Sequence, residues 1–122
     1  RTCGAIEFAA TTPLRAATGL QEAALTHALD MAQHRHFQHE GTDGSSPGAR
    51  ATRAGYAWSR VGENIALGTI NAEDTVQGWL NSPGHCANIM QPQFTEMGLG
   101  YALTREGKPS IYWSQVLGRP RS

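Results

Sequence analysis

Hydrophobic spacing changes period along this chain, and the order of the change limits the folds open to it. From Leu20 to about Phe37, Leu20, Ala24, Ala28, Met31 and Ala32 fall on one helical stripe, and alanines raise the helix propensity throughout. Thr18 or Gly19 is placed to start this helix. Late in the chain the period drops to two. Met97, Leu99, Tyr101 and Leu103 alternate with small residues, Arg105 to Lys108 reads as a turn, and Ser110 to Leu117 alternates again. That is a hairpin, with Val61 to Ala66 as a third strand. Helices first and strands mainly last predict an α+β layered domain. At 122 residues there is material for one core, so residues 1–122 form a single domain.

Between these regions the punctuation is sharp. Residues 40–55, with GTDGSSPG inside them, read as a long polar loop, and such a loop in a small domain is usually functional. Asn71 caps a helix over Ala72 to Leu80, with Glu73 and Asp74 in its first turn facing the positive helix end. Ser82 then caps a second short helix, with Pro83 at its first position.

The charge balance excludes several partners. Ten Lys and Arg offset ten Asp and Glu, so no basic face is implied and nucleic acid is not an expected partner. Arg119 to Arg121 reads as a solvated tail. No apolar run is long enough for a membrane span, and no signal peptide is seen. Cys3 and Cys86 form an even, widely separated pair, which suits a disulfide and an oxidising compartment; two buried free thiols are the alternative.

Chemistry has to come from the histidines and a carboxylate. His27 and His34 share a helix face and read as surface residues, and His36 sits where it can cap or pack at the helix end. His39 opens the polar loop, a place where functional side chains collect. His85 is the third residue of the helix that Ser82 caps. The positive helix end there disfavours an imidazolium and keeps the ring neutral, as a metal ligand or general base requires. Glu63 follows Gly62, which permits close approach of another element; an exposed strand-edge glutamate is the alternative. Two histidines and one carboxylate are the minimal set for an open Zn²⁺-type site. Cys86 next to His85 is not a dyad, because neighbours on a helix diverge by about 100°. No HExxH, GxSxG, P-loop or GxGxxG motif is present.

Set in order, HEGTDGSSPGAR, AGY, VGENIALG, VQGWLNSPGHCANIM, FTEMGLGYA and YWSQVLG resemble the bacterial form of the CAP superfamily, the cysteine-rich secretory, antigen 5 and pathogenesis-related 1 proteins. The resemblance runs from Leu14 to Pro120. It implies a three-layer α-β-α sandwich around a central antiparallel sheet, and a secreted or periplasmic location with any signal peptide cleaved. It also implies a cleft lined by two histidines and two acids. By motif these are His39, Glu63 and His85, while the second acid, three residues after the tryptophan, is replaced by Ser82.

In relatives the two histidines can hold a divalent cation such as zinc, which here would fall to His39 and His85. The resemblance further implies a helix with an Asn-x-x-Arg pattern ahead of Cys3. None precedes Arg1, so either the sequence is truncated or processed, or one flank of the sheet is left bare and apolar. Three functions follow as expectations. The first is binding of a metal, or of a small-molecule, lipid-like or cell-wall ligand, in the cleft. The second is metal-dependent hydrolysis of a peptide or ester with Glu63 as general base. The third is an envelope interaction module with no active cleft.

Overall fold

In a computed structural model, which describes every residue except 105, 106 and 122, small residues bring a long helix onto a sheet. Helix α1 (Thr18–His34) buries Leu20, Ala23, Ala24, His27, Ala28, Met31 and Ala32. Four of those seven are alanines, so its backbone lies close to strand β5 (Glu96–Leu103). Gly98 and Gly100 complete the fit: a Cβ on Gly100 would stand 2.5 Å from the Leu25 nitrogen. The helix stops earlier than Phe37. Arg35 adopts the left-handed conformation (φ 49°) and its N–H donates to Met31 O, closing the last turn. His36 thus lies outside the helix, and its Nε2–H donates to Glu40 O at 2.7 Å, tying down the next loop.

Strand β5 pairs antiparallel with β6 (Ile111–Pro120), and β6 pairs antiparallel with β4 (Trp58–Leu67). The short β3 (Arg15–Ala16) adds to the free side of β5, parallel and only at Glu96 and Met97. The sheet order is therefore β3-β5-β6-β4. Arg119 is not in a solvated tail. It pairs with Arg60 at the end of β6, and Arg121 N–H donates to Ala57 O, although these side chains stay exposed. Of the turn expected over Arg105 to Lys108, Arg105 and Glu106 lie outside the described residues, and Gly107 has a φ of 71°.

One face of the sheet meets α1 in a core of Leu20, Ala23, Ala24, Ala51 and Val116 at one end, and Met31, Ile65, Ala102 and Tyr112 at the other. Helices α3 (Ala72–Leu80) and α4 (Pro83–Met90) meet the sheet at β4. Trp79 Nε1–H donates to Ile65 O, and Asn64, on the face away from α1, donates to His85 O. This is the α-β-α layering, with β1 (Thr2–Cys3) and β2 (Ile6–Glu7) as a small ribbon stapled to α4 by the Cys3–Cys86 disulfide, Cα–Cα 5.5 Å. On the same face of β5, Tyr101 and Leu103 are 56% and 50% exposed, so apolar surface is open there among the described residues.

The polar stretch 40–55 is a loop only in its first half. Ser46 caps helix α2 (Pro47–Arg53) through its Oγ and the Ala49 N–H, with Pro47 at the first position. The stretch reads as loop because the helix is only seven residues long and buries just Arg50 and Ala51.

Candidate ligand cleft

Glu63 sits on β4 with its side chain only 1% exposed, and everything in the site is arranged around its two oxygens. The α1-facing side of β4 carries it inward, so the exposed strand-edge reading is overturned even though β4 is an edge strand. Gly62 gives up its side-chain space to Phe94, whose ring a Cβ would meet at 2.8 Å. Oε1 accepts from His39 Nδ1 at 2.9 Å, with His27 Nε2 at 3.8 Å. Oε2 accepts from Arg50 Nη2 at 3.0 Å and from Ser114 Oγ at 3.4 Å.

Arg50 is itself buried and fully oriented. Its Nη1 donates to Ser45 O and Oγ, and its Nη2 also to His39 O at 2.8 Å. One guanidinium thus fixes both the carboxylate and the backbone of its histidine partner. Because His39 donates from Nδ1–H to Glu63, it keeps Nε2 as its outward atom, on a side chain that is 56% exposed. The bond to Glu63 raises the His39 pKa above the usual histidine value, against a smaller opposing effect of burial.

His85 approaches from α4. Its Nδ1 is 2.9 Å from Ser82 Oγ, which again leaves Nε2 outward. Ser82 occupies the N-cap position as the sequence indicates, but its hydroxyl makes no capping bond; it goes to His85 instead. Burial and then the neighbouring His39 charge lower the His85 pKa. His39 and Glu63 are therefore joined directly, while His85 meets them through the electrostatic field of His39. An amide network clamps α4 in place: Asn88 Nδ2 donates to Asn64 Oδ1 at 3.0 Å, and Asn64 Nδ2 to Gln115 Oε1 at 3.1 Å and His85 O at 3.3 Å.

His27 is not a surface residue. It is wholly buried, donates from Nε2 to Gln38 O at 2.7 Å, and its pKa is lowered by burial. The signal was present in the spacing, since His27 lies three residues after Ala24 and four before Met31, on the apolar stripe. Arg50 had no such signal, because one arginine in a polar stretch reads as solvated. His34 is exposed beside Asp30, as a surface residue should be. Among the described residues, no group of three His, Cys, Asp or Glu side chains is placed to hold a metal ion.

A layered α-β-α domain with a carboxylate-oriented histidine at one sheet edge, and a bridge between its N-terminal ribbon and a short helix, defines the class. The family model described as CAP, cysteine-rich secretory protein family, matches residues 9–117, and the chain belongs to that family. Protein YkwD of Bacillus subtilis strain 168 is 34% identical over 107 residues, covering 88% of this chain and 40% of its own length. The crystal structure of an extracellular protein containing a SCP domain from Bacillus anthracis superposes with a TM-score of 0.77 at 28% identity, over 89% of this chain and 34% of that one. An outer surface protein of Borrelia burgdorferi shares the fold, with a TM-score of 0.76 at 20% identity, over 91% of this chain and 80% of that one. The chain thus spans well under half of its Bacillus relatives. No helix among the described residues is long and apolar enough to cross a membrane.

Proposed function

We propose that this CAP domain is a secreted binding module that takes a small ligand, of the lipid-like or cell-wall class, between His39 and His85, with a divalent cation such as zinc held weakly by the two rings. The observation that carries the reading is the pairing of both Nδ1 atoms, His39 with Glu63 and His85 with Ser82, which leaves two Nε2 atoms as donors. Oriented imidazoles with engaged second nitrogens are what metal sites use. Two protein ligands fall one short of a catalytic zinc site, so the cation would exchange readily and the ligand would complete its shell. When bound, a cation there would polarise an oxygen atom of the ligand. Secretion is supported by the disulfide, which persists in oxidising compartments, and by the description of the Bacillus anthracis protein as extracellular.

Hydrolysis is the weaker reading. It asks Glu63 to take a proton from water, and both its oxygens are occupied by His39, Arg50 and Ser114. That geometry suits an orienting carboxylate.

Thermal unfolding with and without Zn²⁺ tests the proposal. At a hundredfold excess over Kd the metal should add about 2.7 kcal/mol, and His39→Ala and His85→Ala should each abolish the gain. Cation-independent melting of the parent chain would remove the metal. Turnover of a peptide or ester panel that collapses in Glu63→Gln would restore the hydrolase. An envelope module with no active cleft predicts that none of the three substitutions alters binding.

A further inference from the structure

The outer edge of β5 is covered in two different ways along its length, and beyond them it is left open among the described residues. At Glu96 and Met97 it is paired by β3. At Leu99 it is met by a side chain: Leu99 N–H donates to Gln21 Oε1 at 2.9 Å and Gln21 Nε2 donates to Leu99 O. The carboxamide thereby stands in for one peptide unit of a neighbouring strand. These bonds also show which way the backbone faces. Leu99 turns its N–H and C=O away from β6, and the two-residue period of a strand gives Tyr101 and Leu103 the same outward orientation. Among the described residues no strand pairs with that side of Tyr101 or Leu103.

The helix above explains where the cover stops. Gly98 lies against Leu20 and Gln21, and Gly100 against Ala24 and Leu25, so α1 runs alongside β5 in the same direction. Gln21, Leu25 and Leu29 are four residues apart on one stripe, advancing about 6 Å per step, close to the roughly 6.8 Å of two strand residues. Leu25 is thereby carried over Tyr101 and Leu29 over Leu103, where the stripe offers leucine in place of an amide. Leu25 and Leu29 are 44% and 52% exposed. Gly100 to Leu103 contains no charge and no proline, the usual guards of an open edge.

We propose that this edge is a self-association surface on which a second copy of the chain pairs antiparallel about a two-fold axis at Ala102. Tyr101 of each copy then lies opposite Leu103 of the other, their outward backbone groups exchange hydrogen bonds, and the two sheets become one. The same rotation brings the Leu25 and Leu29 stripes of the two α1 helices together above the joined strands. A lone peptide strand would satisfy the backbone but leave those leucines bare, which is why the fitting partner is another copy. A formal net charge of zero imposes no general repulsion between copies.

Sedimentation equilibrium on the 122-residue chain should show a monomer–dimer equilibrium. The double substitution Tyr101→Lys and Leu103→Lys, which sets like charges directly opposite each other, should raise the dimer Kd at least roughly tenfold with unchanged circular dichroism. Leu25→Glu with Leu29→Glu, on the exposed side of α1, should do the same and serves if the lysine variant misfolds. Register is tested by mixing a Tyr101→Cys chain with a Leu103→Cys chain. Directly opposed Cα atoms about 5.5 Å apart allow a disulfide, so the mixture should cross-link on mild oxidation. The Tyr101→Cys chain alone should cross-link several-fold less, its sites being diagonal at about 7–8 Å. A monomer at all concentrations to about 1 mM, a dimer indifferent to both double substitutions, or equal cross-linking in the two experiments overturns the proposal.

Discussion

His27, His39 and His85 are pushed in opposite directions, and the opposition has a measurable sign. His39 is raised by its bond to the carboxylate, so its contribution to stability is full below the ordinary histidine value of 6.5 and is lost as pH rises through the raised native value. His27 and His85 are lowered, chiefly by burial. Their contribution is full above 6.5 and is lost as pH falls through the lowered native values. Stability drawn from the three should therefore peak near 6.5. In metal-free protein, ring-proton NMR titrations should order them with His39 highest; His39 titrating below His85 would contradict the assigned bond to Glu63. A second residue-scale expectation concerns Arg50, which is 5% exposed and faces a carboxylate that is nearly all buried. Arg50→Met strands that charge and should cost about 3–5 kcal/mol in urea unfolding. A loss under about 1 kcal/mol would mean that the pair is not what holds the site together. His39, Glu63 and His85 were legible because their motifs mark loop, strand and helix start. Arg50 was not, because its role exists only once α2 folds back over β4.

Element boundaries were legible where apolar spacing is long and regular. Helix α1 and strands β5 and β6 announce themselves by period, whereas β3 has two residues and α2 seven, too few for any period to register. What spacing did not disclose is how near α1 and β5 come. Gly98 reads only as a small residue in an alternating strand, yet a Cβ there would strike the Leu20 carbonyl and the Gln21 nitrogen. Gly98→Ala should destabilise by about 1–3 kcal/mol through overpacking, measured as a lowered melting midpoint. Gly78→Ala is the matched control. It lies inside α3 with open space around its Cβ position, and should gain about 0.5–1 kcal/mol from helix propensity. If both changes act alike, close packing is not the reason for glycine at 98.

On the scale of the whole molecule, the layering follows from helices early and strands late, while the second helical layer at β4 came into view through the family resemblance rather than through spacing. The disulfide closes the longest covalent loop in the chain, 83 residues. Replacing both cysteines by serine should cost roughly 4 kcal/mol in the chain-entropy model, seen as a lower denaturation midpoint in the non-reduced protein. An unchanged midpoint would show that the ribbon and α4 hold each other without the bridge.

Cys86 and His85 are consecutive, so the helix that carries the His85 ring is also the one that anchors the N-terminal ribbon. With the bridge open, α4 is still held by its packing on α3 and β4 and by the Asn64–Asn88–Gln115 clamp. The bridge is therefore a second restraint on the helix that carries His85, whereas His39 and Glu63 are joined without it. If that restraint positions the ring, cation-dependent stabilisation of the same preparation should be larger after oxidation than before, and equal stabilisation in both forms would show that the bridge does not act on it. The redox state of Cys3 and Cys86 would then act on the ring that stands apart from Glu63 and leave the His39–Glu63 pair untouched.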